Sequence, residues 1–363
     1  MRRQVLLRAA ASAAWLPNLS GCTSLADEQV AARAQRAPLD LGQSDPAGLL
    51  RELVRHATLA PSSHNTQCWT FRLHAQSIVI APDLSRRCPV VDPDDHHLWV
   101  SLGCATENLA QAALAAGWHA DVRCDTEGPG AITVNLEATR ARLTPWAQAI
   151  PHRQCTRAEF DGTPLTNAEL RSLALAGTGQ GVQVLLLTER ALMERVLAQV
   201  IEANTVQMSD DAFMGELKAW MRFGAAEAQR SGDGLFSAAS GHPVMPRWLG
   251  IRAMDLWVTP ADENARYAQQ VRSSAGIAVF VAEVADRAHW VEVGRCCQRF
   301  ALQATVLGLR QAFLNQPVEV SALRPAFAAS LGLGMQRPDL VMRFGRGPEM
   351  PLSMRRPLQA VLV

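Results

Sequence analysis

The chain reads as an α+β protein built in two lobes of common design, and three observations predict it. Trp69 to Leu73 and Ser77 to Ala81 are short runs of strand character that read as a pair. Gly276 to Val284 is a continuous apolar, β-branched run, the mark of a strand covered on both faces. Two long helical segments echo one another. Cys104-Ala105-Thr106-Glu107-Asn108-Leu109 through Trp118 matches Cys297-Gln298-Arg299-Phe300 through Leu309, each with small residues along one face and glycine at the stop. The echo predicts lobes at residues 45–150 and 151–363 packed about a pseudo-twofold axis.

The remaining elements follow in order. Residues 1–22 read as a processing segment outside the fold: an Arg2-Arg3 pair, a short apolar stretch to Leu16, and Leu19-Ser20-Gly21-Cys22 at the end. They resemble a twin-arginine export signal closed by a lipobox, which makes Cys22 the lipid-attachment candidate. The apolar run is too short to span a bilayer. Residues 23–44 are rich in Ala, Arg and Gln without a clear apolar face and are expected to be a linker. Asp45-Pro46 is an N-cap with proline at the first helical position, and Leu49, Leu50, Leu53, Val54 and Ala57 continue at helical spacing.

A polar turn, Pro61 to Gln67, leads into the strand pair. Asp92-Pro93-Asp94 opens the first long helix, which stops at Gly117, and Val134 to Leu136 closes the first lobe as a strand. In the second lobe, helices start at Asn167, Glu189 and Asp210, Val182 to Leu187 is a strand, Arg287 to Leu309 is the second long helix and Val341 to Phe344 is a further strand. Residues 231–262 are dense in Gly, Ser and Pro and are expected to form a lid or binding loop. The tail from Met350 lacks helical periodicity.

Composition narrows the function. The chain has 363 residues, 48% of them hydrophobic, enough for a substantial buried core. Its formal charge is +1 and falls below zero if Arg2, Arg3 and Arg8 leave with the signal, so charge gives no case for nucleic acid or an anionic membrane surface. The membrane enters only through a lipid anchor or export machinery. Cysteines at 68, 88, 104, 124, 155, 296 and 297 form no C-x-x-C pair and no evident disulfide framework, and the adjacent Cys296-Cys297 suits packing. In Asp94-Asp95-His96-His97 successive helical positions diverge by about 100°, so at most two could face one ion and no metal site is assigned. Ser63-His64 lacks a G-x-S-x-G elbow, and no glycine-rich dinucleotide fingerprint occurs.

The most specific segment is Ala60-Pro61-Ser62-Ser63-His64-Asn65-Thr66-Gln67-Cys68-Trp69. Hydroxyl, imidazole and amide groups crowd one turn between a helix and a strand, and Asn and Gln amides can donate and accept at the polar edge of a flavin ring. The segment resembles the Ala-Pro-Ser-x-x-Asn-x-Gln-Pro-Trp turn of the nitroreductase family. Three further motifs are similar to that family in order along the chain: Arg153 and Arg157 before Phe160, Asn315-Gln316-Pro317-Val318-Glu319, and Arg355-Arg356-Pro357-Leu358.

The resemblance covers residues 45–363 and implies a nitroreductase-like fold, with two pseudo-equivalent lobes of mixed sheet flanked by helices and one FMN at their junction. It implies that Ser62, Ser63, His64, Asn65 and Gln67 line the flavin, that Arg153, Arg157, Arg355 and Arg356 hold its phosphate through charge-assisted forks, and that Gln316, Pro317 and Glu319 stand by its reactive ring nitrogen. One chain supplying both sets matches a fused, double-lobed branch of the family, the Acg-like proteins, and implies a monomer with an internal pseudo-dimer. Cys68, His152 and Cys155-Thr156 depart from the family pattern.

The expected activity is transfer of hydride from NAD(P)H, a transient donor, through FMN to a nitroaromatic or quinone-like small molecule, with no separate catalytic acid or base. The alternative is an exported lipoprotein that binds or sequesters FMN without turnover. The signal implies a periplasmic or membrane-anchored location.

Overall fold

A computed structural model describes residues 24–43 and 45–363; the export signal and Cys22 lie outside the described residues. Helix α1 (Leu25–Gln35) falls within the segment expected to be a linker. A capping box, Ser24 with Asp27, starts it, and Ala32 is buried against the helix at 225–231. Its side chains reach the other terminus, where Gln29 Nε2 donates to Leu352 O and Gln35 Nε2 to Arg355 O. The burial comes from tertiary contact, which composition does not display.

Helix α2 (Pro46–Ala57) begins as expected, with the Asp45 carboxylate accepting the N–H groups of Ala47 and Gly48. Strands β1 (Trp69–His74) and β2 (Ser77–Pro82) form the hairpin, and α3 (His96–Ala115), β3 (Trp118–Asp125) and β4 (Ala131–Ala138) complete an antiparallel sheet of order β1-β2-β4-β3. Short α4 (Pro145–Ala149) leads across to the second lobe.

There α5 (Asn167–Ala176) precedes β5 (Val182–Leu187). An insertion follows: α6 (Arg190–Met208), α7 (Asp211–Trp220), β6 (Met221–Arg222), α8 (Ala225–Ser231), β7 (Leu235–Phe236), α9 (Arg247–Trp257) and α10 (Pro260–Arg272). The expected lid loop at 231–262 is thus largely folded. Its glycines and prolines concentrate before Arg247, and the Arg247–Trp257 stretch, free of proline, forms α9. Then come β8 (Gly276–Ala282), α11 (Arg287–Val306), β9 (Arg310–Phe313), α12 (Gln316–Glu319), α13 (Arg324–Ser330) and β10 (Pro338–Gly345), giving a second antiparallel sheet of order β5-β8-β10-β9.

The two lobes share one topology. In each, a helix leads to a first strand, the second strand pairs with it, a 20-residue helix follows, and the third and fourth strands close the sheet in the order first, second, fourth, third. Single parallel bridges make both sheets mixed at their edges. Leu362 joins β1 and Cys155 joins β9, so the tail returns to the first lobe.

Helices α3 and α11 cross at backbone contact. A Cβ on Gly103 would lie 2.0 Å from Val291 O, and one on Gly294 would lie 2.0 Å from Val100 O. This reciprocity is what a twofold relation requires, and it pairs Gly103 with Gly294, two residues away from the register suggested by the cysteines. Nearby, Gln298 Nε2 donates to Asn108 Oδ1, and Asn108 Nδ2 donates to the carbonyl of His56, joining α11, α3 and α2 in a buried polar chain.

Alanine at Gly103 or Gly294 is expected to destabilise the protein by about 3 kcal/mol, the upper end for overpacking, because backbone cannot move aside as a side chain can. Urea unfolding checks this against Gly215→Ala on α7, where nothing lies within 4 Å of the new methyl and a gain of about 0.5–1 kcal/mol is expected. Burial, reinforced by the Arg55 guanidinium, pushes the His56 imidazole down to about 4. The unfolded chain therefore takes up this proton first on acidification, and stability present above pH 6.5 should decline toward pH 4. His56→Gln should remove about one proton from the slope of unfolding free energy against pH in that window.

Candidate functional site

The turn after α2 is backbone-strained. His64, Asn65 and Gln67 all have positive φ, at 48°, 53° and 54°, a conformation that costs about 1–3 kcal/mol per residue for side chains of this kind. Hydrogen bonds hold it. Gln67 N donates to Ser62 Oγ at 2.9 Å, and Asn65 N to Ser62 O at 3.0 Å. The two amides reach across to the second lobe: Gln67 Nε2 donates to Gly232 O, Asn65 Nδ2 to Gly234 O and Met354 O, while Asn65 Oδ1 accepts from Arg355 Nη1 and Gln67 Oε1 from Arg356 N. Both amide groups are therefore engaged in clamping the turn to residues 232–234 and 354–356. That differs from the expectation that their donors and acceptors face a flavin.

The clamp helps shape a cavity of about 730 Å3 between the lobes, within the range of about 300–1,000 Å3 usual for cofactor and small-molecule sites. Ser62, Ser63, His64, Asn65, Arg153, Arg157, Gln316, Glu319 and Arg355 line it, so most of the residues expected from sequence are brought together. Gln67, Pro317 and Arg356 are not among its lining residues. Pro317 is buried inside α12, and Arg356 turns away: its Nη1 donates to Gln67 O and stands 3.5 Å from Asp83, and its Nη2 donates to Ala360 O.

Sequence reasoning missed Arg36, which follows α1 and lines the cavity. With Arg153 and Arg355 it forms a buried cluster about the carboxyl-terminal end of α2. Arg153 Nη2 donates to Leu59 O; Arg355 Nε donates to Thr58 O and its Nη2 to Leu59 O and Ala60 O; Arg36 Nη1 donates to Pro151 O and Arg153 O. The Thr58, Leu59 and Ala60 carbonyls directly follow the last turn of α2, where the negative end of the helix dipole is the natural seat for cations. Among the described residues no carboxylate answers the three charges. Burial and the neighbouring guanidiniums push Arg36 down to about 9 and Arg355 well below its ordinary value, and burial lowers Arg153 too. Arg36 Nε and Arg153 Nε are buried without a partner.

A second cationic group lies on the insertion side. Arg157 Nη1 donates to Ser240 Oγ at 3.2 Å, and Arg266 bonds Ser240 O and, at 2.6 Å, His242 Nε2. Burial first, then Arg266 and Arg157, push His242 down to about 4. Burial, Arg157 and His97 do the same to His64. Both imidazoles are neutral at pH 7. At the α12 end, Gln207 Nε2 donates to Glu319 Oε2 at 2.7 Å, burial raises the Glu319 carboxyl, and Gln316 Oε1 is buried with no partner.

The rest of the wall is largely apolar: Phe213, Met214 and Leu217 of α7, Leu249, Ala253, Met254 and Trp257 of α9, and Phe313. Tyr267, the only tyrosine of the chain, also lines it. Trp248, a candidate from sequence for covering the site, is 70% exposed and lies outside the lining. The seven described cysteines are free thiols. No helix among the described residues is long and apolar enough to cross a membrane.

No known protein-family profile matches the chain. It is 26% identical over 333 residues to the Mycobacterium tuberculosis protein named "Putative NAD(P)H nitroreductase Rv3131", covering 87% of this chain and 91% of that one. It is 24% identical over 329 residues to "Putative NAD(P)H nitroreductase acg" of the same species, with 86% and 95% covered. A crystal structure of a nitroreductase with bound FMN from Desulfitobacterium hafniense aligns at 14% identity and a TM-score of 0.36, over 60% of this chain and 97% of that one, a likeness too slight to carry an argument. The chain is thus similar, at low identity but over most of its length, to proteins named as NAD(P)H nitroreductases.

Proposed function

We propose that the protein is an FMN-dependent oxidoreductase of nitroreductase type that passes hydride from NAD(P)H to a nitroaromatic or quinone-like acceptor. The observation that carries this reading is the group of buried guanidiniums without acidic partners at the wall of a largely apolar interlobe cavity. Guanidiniums buried in this way call for an anion with several acceptor oxygens, as a phosphate has, and the apolar remainder suits a flat ring system. Similarity to proteins named as NAD(P)H nitroreductases supports the same chemistry.

The residues present fit FMN. Arg36, Arg153 and Arg157 would hold its phosphate, with Arg355 set behind them, since its donors are already engaged by carbonyls and Asn65. Gln316, whose buried Oε1 has no partner, would accept from a ring N–H. Bound FMN supplies two-electron chemistry, accepting hydride from a reduced nicotinamide and yielding it to an acceptor. The chain's own part is placement. The apolar side chains of α7 and α9 exclude water, and the neutral His64 and His242 let the arginines supply the positive charge. Glu319, its carboxyl raised by burial, stands beside Gln316 on α12.

The fused, Acg-like assignment is supported by the shared topology of the two lobes, which gives a monomer the architecture of a dimer. Export as a lipoprotein anchored through Cys22 is supported by the sequence alone, in the paired arginines and Leu19-Ser20-Gly21-Cys22.

The purified chain is expected to bind FMN, with visible absorbance that bleaches when reduced nicotinamide is added under nitrogen. A bound flavin that stays oxidised would point to sequestration, and no flavin uptake would overturn the reading. Arg153→Ala and Arg157→Ala should each weaken FMN binding by about 1.5–3 kcal/mol. Arg356→Ala should leave flavin affinity unchanged while lowering the thermal midpoint, because Arg356 serves the turn and not the cavity. Equal loss of flavin in all three variants would reject that division.

A further inference from the structure

Where α3 begins, three side chains of metal-ligand type are buried together. Asp92 is 4% exposed, His96 fully buried and His97 3% exposed, and one ligand atom from each lies within 4.8 Å of the other two. Asp94 and Asp95 face elsewhere, to Arg337 at 2.6 Å and Arg87 at 3.0 Å. Asp92, before the helix, takes their place.

The hydrogen bonds fix the state of the rings. His97 Nε2 is 3.2 Å from Asp339 O, a carbonyl that can only accept, so His97 carries its proton on Nε2. His96 Nε2 is 2.9 Å from Asp339 Oδ1, and the other oxygen of that carboxylate accepts the N–H of Ala282. With that carboxylate oxygen as the acceptor, His96 carries its proton on Nε2 as well. With Nε2 engaged by Asp339 in both rings, Nδ1 is the nitrogen left over, and both Nδ1 atoms are buried with no partner. The rings lie with centroids 4.6 Å apart, and unsatisfied buried acceptors of this kind are exceptions in native proteins that call for an explanation.

We propose that Asp92, His96 and His97 bind a divalent transition-metal ion through one carboxylate oxygen and the two Nδ1 atoms, with Asp339 as the outer carboxylate that orients both imidazoles. Two imidazoles and one carboxylate form a borderline donor set suited to zinc, cobalt or nickel, whereas magnesium and calcium prefer oxygen alone. The imidazole-to-Asp339 bonds are the outer partners that metal-binding histidines customarily keep. Glu319 also faces His97 and Asp92, and the opposing charges of Arg324 and Arg337 are drawn off by Asp94. His97 lines the interlobe cavity, so the ion would stand at its wall, with a fourth position left open by a three-ligand set. The ion would also join α3 of the first lobe to β10 of the second through Asp339.

The test is titration of the chelator-treated full chain with cobalt(II), followed by equilibrium dialysis against zinc. One equivalent per chain is expected, with intense visible ligand-field absorption from a site of low symmetry. His97→Gln should reduce affinity at least tenfold, and Asp339→Asn by about 10- to 100-fold, the usual effect of losing an outer partner. Absence of cobalt bands in the unaltered protein overturns the proposal whatever the variants do, and so does zinc binding that is undiminished in a His97→Gln protein.

Discussion

Helices α3 and α11 meet at a point where no side chain stands between their backbones. Gly103 on α3 faces the carbonyl of Val291, and Gly294 on α11 faces the carbonyl of Val100. Helix axes can come this near only where both surfaces are bare, so the two glycines set the distance between the lobes. The surrounding residues follow from that distance. Cys104 is near enough to donate to Gly294 O, and the His56, Asn108 and Gln298 chain can bridge three helices without water. The cavity depends on it as well, since His97, Val100, Ser101 and Cys104 on α3 form part of its wall and Arg153, Ala312 and Gln316 from the second lobe another. A wider crossing would separate the two halves of the site.

Upon that frame the protein holds two arrangements that are unfavourable by themselves. One is the left-handed backbone at His64, Asn65 and Gln67; the other is the set of buried guanidiniums at Arg36, Arg153 and Arg355 without acids. They are linked, because Arg355 bonds both the Asn65 side chain and the carbonyls that precede the turn. Part of the charge is answered by the exposed end of the α2 dipole. The remainder is left for a ligand, and a site kept in this state binds an anion with little reorganisation, because the donors are already desolvated and aimed. Local strain and uncompensated charge in one place are more economically explained by binding than by stability.

Much of this was legible from sequence wherever the signal was local. The Asp45-Pro46 cap, the strand at Val182 to Leu187 and the apolar run from Gly276 depend on neighbouring residues and stand where the pattern puts them. Helix α1 had a legible start in its Ser24 and Asp27 capping box, but its burial rests on partners more than 300 positions away, such as Leu352 and Arg355. Helix α9 was hidden by the glycines and prolines that precede it. The site shows the same division. Motif order brought Ser62, His64, Arg153, Arg157 and Gln316 to one cavity, whereas the adjacent Arg355 and Arg356 were indistinguishable in sequence and point to different tasks. Arg36 carried no local signal at all, because its role depends on how a terminal helix docks.

Two lobes of one topology raise the question of why a single cavity carries the charge. The turn between α2 and β1 has its counterpart between α5 and β5, where the chain passes Gly177 to Gly181. An arginine reaches the carbonyls there too: Arg299 Nε donates to Ala176 O and its Nη2 to Thr178 O, much as Arg153 and Arg355 approach the end of α2. Its charge is answered, however, by Glu107 at 3.2 Å and Glu292 at 3.0 Å, and Arg295 joins the same network. Those carboxylates raise the Arg299 guanidinium where burial alone would lower it, the reverse of the balance at Arg36. The second pseudo-site is therefore neutralised from within, and Glu292 and Cys296 fill the space beside Gly179. The insertion completes the asymmetry. A tight hairpin joins β1 to β2, whereas α6 to α10 intervene between β5 and β8, and they close over the one pole whose arginines were left without acids.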